Sequence, residues 1–277
     1  MEAVKILQMK YPRYVKRMQG IFLEATGCEL LNKNLTAVNL MLFTNKLKEC
    51  VANSSAHTYS SFLKSAINTL KADGQLRQLT GEWEKSLNVK AEQVAMCYLT
   101  EEEISKFAEY IPKNDRERVV QAQFLIECYT GARTSDIERF DRTNIDGDFI
   151  TYVSQKTRIR ATIPLKPIVR RLIEENANKG GEMPLKTKNE IIRRICMSVG
   201  ITDVVKVFRA GEELTGEKYK FCSTHTGRRS FASNMYLRGV DLYTISKLMG
   251  HSSVQMTENY IVCGIRDLPE AALNYFK

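Results

Sequence analysis

Apolar residues recur at helical spacing through most of the first hundred positions. The clearest run is SSAHTYSSFLKSAINTLKADG, where Tyr59, Phe62, Leu63, Ala66, Ile67 and Leu70 share one face and Gly74 follows as a terminator. Ser54 or Ser55 can cap it. One helical stretch before it covers much of the chain up to Gly27, and another runs from about Thr36 to Val51. Lys64 and Lys71 fall outside the apolar set and can face solvent or phosphate. The polar segment from about Glu84 to Met96 reads as a linker. After it, YLTEEEISKF opens a new helix, with Thr100 and Glu103 forming a capping box. The pattern predicts a helical domain over residues 1–95 and a second domain over 96–277.

The second part mixes periods. A helix from about Asp115 to Tyr129 carries Val119, Val120, Phe124 and Leu125 and stops at Thr130-Gly131. FITYVSQ alternates like a strand and RATIPL matches it on return. Residues 167–178 and 189–199 read as helices. Val204 to Phe221 reads as a second hairpin, with GEELTGE as its turn and Tyr219 and Phe221 on the return. A helix from Arg229 to Arg238 uses Phe231, Met235 and Leu237, and Gly239 stops it. Asp241 caps another that places Leu242, Ile245, Leu248 and Met249 at helical spacing and ends at Gly250. His251 then sits just past a helix end, where a side chain is aimed rather than buried. In the tail, Asp267 and Pro269 can start a helix whose stripe of Leu268, Ala272, Leu273 and Phe276 needs a docking surface. The fold class is mainly α with small β-sheets or hairpins: a helical domain followed by a mixed α+β domain.

Charge sharpens this picture. The net charge is +9, split as +5 through residue 95 and +4 beyond it, which suits a protein that grips a polyanion with both parts. The seven cysteines include no C-x-x-C pair and read as reduced apolar residues of a cytoplasmic protein, not as a disulfide frame or zinc site. No run is long enough to span a membrane, and the amino terminus lacks the apolar core of a signal peptide. Trp83 reads as a packing residue, and His57 is given no chemical role.

Candidate chemistry clusters late in the chain. His225 is followed three residues later by Arg228, Leu248-Met249-Gly250-His251-Ser252 follows, and Tyr260 lies nine residues beyond His251. Upstream, Thr130-Gly131-Ala132-Arg133 leads to Asp136, and Lys156-Thr157 occupies the turn between the two matched strands. Taken alone, Arg133 is an ordinary arginine at a helix end and Lys156 a solvated turn lysine. Together and in this order, these pieces resemble the tyrosine recombinase (phage integrase) family. The motifs lie between residues 100 and 262; over residues 1–95 the resemblance rests on helical pattern and position.

The resemblance implies a helical, SAM-like core-binding domain and a catalytic domain closing as a C-shaped clamp on DNA. It implies strand cleavage through a 3′-phosphotyrosyl intermediate, with no metal and no other cofactor. Arg133 and Arg228 would bind the nonbridging phosphate oxygens and His251 would donate a further hydrogen bond. Tyr260 would be the nucleophile, His225 its general base and Lys156 the general acid. Asp136 would support a catalytic partner, and Arg158 and Arg160 are DNA-contact candidates. The implied partners are double-stranded DNA, a homo-tetramer on two DNA sites (a monomer or weak oligomer without DNA) and accessory DNA-bending proteins; no membrane is involved. An additional amino-terminal arm-binding domain is not expected. The implied job is integration or a related rearrangement for a phage or mobile element. The alternatives are a type IB topoisomerase-like enzyme and a non-catalytic DNA-binding protein on the same fold.

Overall fold

Pro12 splits the first helical stretch into α1 (Ala3–Lys10) and α2 (Pro12–Thr26), because proline lacks the N–H that would continue the helix and disfavours the helical region for the residue before it. The computed structural model describes residues 2–77, 79–90, 96–209 and 212–262. It divides into two units, residues 1–94 with 208–212 and residues 95–207 with 213–277.

The first unit continues with α3 (Ala37–Cys50), α4 (Asn53–Ala72) and the short α5 (Trp83–Ser86). Thr36 caps α3 by accepting from Asn39 N. Tyr59, Leu63, Ala66, Ile67 and Leu70 of α4 are buried as their spacing predicts, while Phe62 is half-buried and stacks on Tyr11 at 3.8 Å between ring centroids. Ser54 and Ser55 do not cap this helix. It begins at Asn53, whose side-chain amide donates to the Lys90 carbonyl at 3.0 Å, a tertiary contact that local sequence does not announce. Lys64 pairs with Glu84 at 3.6 Å, and Lys71 donates to the Leu79 carbonyl beside Trp83. The expected linker begins too early: Trp83, Leu87 and Val89 are all buried in this core, so the chain stays docked through Val89. Residues 91–95 lie outside the described residues.

The second unit opens with α6 (Glu101–Glu109), whose capping box is present in both directions: Glu103 N donates to Thr100 Oγ1, and Thr100 N to Glu103 Oε2 at 2.7 Å. α7 (Asp115–Thr130) is buried on nearly every side and forms the axis of this unit. It ends at Gly131 with φ 62° and is followed by the single turn α8 (Thr134–Ile137). An antiparallel sheet follows, built from β1 (Ile145–Asp146), β2 (Phe149–Val153) and β3 (Arg160–Pro164). Ile150 pairs with Ile163 and Tyr152 with Ala161, which puts the alternating apolar residues of both strands on the buried face. Then come α9 (Pro167–Glu174) and α10 (Leu185–Ser198), and β4 (Val204–Arg209) paired with β5 (Glu212–Glu217). Most of the expected turn GEELTGE is therefore strand, and Tyr219 and Phe221 belong to a helical turn, α11 (Lys218–Phe221).

α12 (Thr224–Leu237), α13 (Leu242–Leu248) and α14 (Val254–Glu258) complete the described chain. α12 starts five residues before the predicted Arg229. Asn189 of α10 accepts from Thr224 N at 2.9 Å, and Thr226 Oγ1 accepts from Ser223 N at 3.0 Å, so tertiary and capping contacts set its beginning. Asp241 caps α13 as expected, accepting from Thr244 N. No helix among the described residues is long and apolar enough to cross a membrane. The tail from residue 263, with Cys263 and the expected apolar stripe, lies outside the described residues.

α7 and α12 make close contact because two glycines allow it. A Cβ on Gly227 would come within 2.9 Å of the Glu127 side chain, and one on Gly131 within 2.5 Å of the Phe231 ring. Gly131→Ala should therefore cost about 3 kcal/mol, combining the left-handed penalty with overpacking. Gly74→Ala, at φ 73° but facing open space, should cost only about 1 kcal/mol. Urea unfolding of both variants checks this; equal losses would discount the contact with Phe231.

Candidate active site

The loop after α7 grips the turn between β2 and β3 at two points. Arg133 Nη1 donates to Ser154 Oγ at 2.9 Å. Asp136, buried in α8, accepts from the Gln155 backbone N–H at 3.0 Å and from Arg139 at 2.9 Å. The turn then presents Lys156, which is exposed. Thr157 Oγ1 donates to the Gly250 carbonyl at 3.0 Å, tying the turn to the loop that carries His251. Arg158 adopts φ 59° as the turn closes, with its N–H on the Ser154 carbonyl at 2.8 Å. The side chains of Arg158 and Arg160 are exposed and do not line the cavity described below.

α12 supplies the opposite side. His225 stands in its first turn with an exposed edge, and Arg228, one turn on, is completely buried. Arg228 Nη1 donates to the Gly131 carbonyl, and Nη2 lies 2.7 Å from His251 Nε2. The other nitrogen of that ring, Nδ1, is 2.9 Å from Thr257 Oγ1. The Arg228 guanidinium sits 5.1 Å from the centroid of the Tyr260 ring, which is 5.3 Å from His251 and 6.4 Å from His225. Tyr260 N donates to the Thr257 carbonyl at 2.8 Å; Ser233 Oγ donates to the Tyr260 carbonyl at 3.4 Å and accepts from Val262 N at 2.8 Å. His251 is thus aimed and also buried, at 3% exposure, because α14 folds Thr257 over it.

Arg133, Lys156, His225 and Tyr260 line one cavity of about 370 Å³. Arg228 and His251 do not line this cavity but lie against the Tyr260 ring that does. Residues far apart in the chain, from 133 to 260, therefore converge on one tyrosine. The rest of the lining includes charged residues that motif spacing does not reveal, among them Glu127 and Lys188. Glu127 left a faint signal, a carboxylate inside the buried run FLIECYT of α7. Lys188 shares the inner face of α10 with Ile191, Ile192 and Ile195 and bonds Gln123 and Glu138. Ser154 and Thr257 carry no local signal, since only the folded chain gives them their partners.

The electrostatics are those of a positive site whose inner groups, Arg228 and His251, are buried. Burial, and then the charges of Arg228 and Arg133, push the His251 imidazole down to about 4. Desolvation, followed by Arg229, Arg228, Lys156 and Arg133, holds His225 below its ordinary value. Burial, followed by the charge of Arg228, lowers Arg133 as well. Glu127 moves in the other direction: burial raises it well above the usual carboxylate range, against the pull of Arg228. Both histidines are neutral at pH 7, and Glu127 is driven toward the neutral acid, so it offsets little of the arginine charge.

Residues 97–263 match the phage integrase family. The chain belongs to the phage integrase family. It is a tyrosine recombinase, a member of a class of enzymes that cut and rejoin DNA. The tyrosine recombinase XerA of Pyrococcus furiosus is 28% identical over 220 residues, covering 74% of this chain and 71% of that one. The integrase of Escherichia phage 186 is 25% identical over 78% of this chain and 58% of its own length. The putative integrase of Pseudomonas phage Pf1 is 25% identical over 65% of this chain, which spans about half (51%) of that protein. Among solved structures, a Tn1549 transposon integrase in complex with transposon right end DNA has the same fold at TM-score 0.69, with 14% identity over 99% of both chains. A lambda integrase dimer bound to a COC′ core site gives 0.60, with 17% identity over 93% of this chain and 92% of that one.

Buried His251, with the more exposed His225 contributing less, ties the recombinase's stability to pH. Unfolded histidine takes up a proton near 6.5, whereas folded His251 resists until about 4 and folded His225 is shifted in the same direction. Protonation therefore favours the unfolded chain. The stabilisation is intact above about 6.5 and is lost as pH falls toward 4. The urea midpoint of the DNA-free recombinase should decline over that window, and His251→Gln should flatten part of the slope. An unchanged slope in the variant would count against a neutral, buried His251.

Proposed function

We propose that this recombinase cuts double-stranded DNA at specific sites with Tyr260 and reseals it for a phage or other mobile element. The observation that supports this reading is the convergence of Arg228, His251 and His225 on the Tyr260 ring at the edge of a cavity shared with Arg133 and Lys156. A phosphodiester enters that cavity. Arg133 and Arg228 engage its nonbridging oxygens with the fork geometry of a guanidinium, where charge grows in the transition state. His251 adds a hydrogen bond to the same oxygens. Tyr260 Oη attacks phosphorus while His225, neutral at pH 7, takes the phenolic proton. The bond from phosphorus to the 5′-oxygen breaks, and Lys156 protonates that oxygen. The product is a 3′-phosphotyrosyl link and a free 5′-hydroxyl. The link retains the energy of the bond, so rejoining is the same sequence in reverse and needs no nucleotide.

Asp136 acts on this chemistry by positioning: it holds Gln155 N, next to Lys156. Arg158 and Arg160, exposed beside Lys156, contact DNA outside the reacting phosphate. Residues 1–95 form the core-binding domain and residues 96–277 the catalytic domain, and both contact duplex DNA in the cytoplasm. Four copies on two DNA sites, with accessory DNA-bending proteins, assemble the full reaction.

The test uses a nicked duplex that carries the junction sequence flanking the gene. Wild-type protein should form a covalent adduct that protease removes, and Tyr260→Phe should bind the duplex normally and form none. An adduct with the phenylalanine variant would assign the nucleophile elsewhere. A reversible shift without adduct in the wild type would favour a DNA-binding protein on the recombinase fold.

The role of Lys156 has its own signature. Lys156→Ala should cleave an ordinary duplex slowly but recover on a duplex whose 5′-bridging oxygen is replaced by sulfur, because a thiolate leaves without a proton. Equal impairment on both duplexes would make Lys156 a groove contact rather than the general acid.

A further inference from the structure

Arginine has only donors, so the 2.7 Å contact between Arg228 Nη2 and His251 Nε2 requires Nε2 to be the acceptor. In the neutral imidazole the proton must then sit on Nδ1, where it is donated to Thr257 Oγ1 at 2.9 Å. Burial and the neighbouring arginines keep the ring neutral down to about pH 4, so the imidazolium is not the resting form. While it is bonded to Arg228, His251 therefore turns a lone pair, not a proton, toward the guanidinium. That is the wrong tautomer for a residue that must donate to a phosphate oxygen.

A phosphate oxygen is an acceptor. When it draws Arg228 Nη2 to itself, the Nε2 lone pair is left facing an anion, and the ring is satisfied only if its proton moves to Nε2. Nδ1 then needs a donor. A hydroxyl can accept from Nδ1–H in one state and donate to bare Nδ1 in the other. A carbonyl or carboxylate in its place would lock the first state, and an alkyl group would serve neither. Thr257 is fully buried, and its carbonyl accepts from Tyr260 N at 2.8 Å, so the same residue also anchors the backbone of the nucleophile.

We propose that Thr257 is a positioning residue whose hydroxyl reverses its hydrogen bond to His251, switching the imidazole from the Nδ1–H to the Nε2–H tautomer when phosphate enters; this rests on the recombinase reading above. One proton leaves Nδ1 and one is gained at Nε2 by exchange with water, so net charge is unchanged. His251 becomes a donor only once Arg228 has been engaged, which makes the second phosphate contact conditional on the first.

The test is ¹⁵N NMR of the full-length recombinase with labelled histidine, its His251 signals assigned with His251→Gln. The free protein should show Nδ1–H. The covalent adduct on the nicked junction duplex should show Nε2–H. An imidazolium in either state, or the same tautomer in both, overturns the proposal. In parallel, Thr257→Val should slow single-turnover cleavage by up to about 100-fold, the lower end of the loss expected for one preorganised donor. DNA affinity should stay unchanged, and Thr257→Ser should restore the rate. Equal losses in Val and Ser variants would reduce Thr257 to packing and overturn the proposal. Failure of the wild type to form any adduct would instead overturn the strand-cleavage reading on which it stands.

Discussion

The arrangement depends on burying one positive charge. Arg228 is wholly enclosed, and taking a guanidinium out of water costs several kcal/mol even after relaxation. Its hydrogen bonds reach a backbone carbonyl, Gly131, and a neutral imidazole, His251, while its Nε lacks a protein partner. Glu127, the carboxyl whose charge acts on it from α7, is pushed toward its neutral form by its own burial. Arg228 is therefore left without a full counter-charge, which favours an incoming anion. Stability for this comes from elsewhere in the unit, from the apolar packing around α7.

Several local features follow from that burial. The left-handed Gly131 turns its carbonyl toward Arg228 and gives way to Phe231, and Gly227 lets α12 approach Glu127. The loop that follows then fixes Lys156 indirectly, through Arg133 on Ser154 and Asp136 on Gln155 N. Thr157 carries the connection on to Gly250, and His251, Thr257 and Tyr260 continue it. The mobile type of side chain, a turn lysine, is thus tethered at its base, and Tyr260 is held by its backbone. Such outer contacts set the geometry that preorganised electrostatic catalysis needs.

Much of this was legible in the chain. The periods of α4, α7 and the β2–β3 hairpin, and the caps at Thr100 and Asp241, are local and appear where the pattern puts them. So do the order and spacing of Arg133, Lys156, His225, Arg228, His251 and Tyr260, all of which the fold brings to one tyrosine. What local pattern misses is set by distant partners. Asn189 fixes the start of α12, Lys90 receives Asn53, and Leu87 with Val89 holds a polar stretch in a core. Strand β5 takes a sequence that reads as a turn because its pairing with β4 outweighs the weak strand preference of Glu212, Glu213 and Gly216. Thr257, a threonine in a short helix, means nothing until α14 places it over His251.

Arg228 and His251, two groups proposed to hold phosphate, also hold each other: Nη2 of the arginine is paired with the imidazole, while its Nε keeps no protein partner. An anion entering the cavity must exceed the value of that mutual bond before it gains either partner. A phosphate that presents two oxygens in the right geometry replaces one bond with several charge-assisted ones. An anion that reaches only one of them gains little over what it displaces. On the proposed reading the arginine–histidine pair filters anions by geometry, through the difference between one neutral-acceptor hydrogen bond and a set of ionic ones.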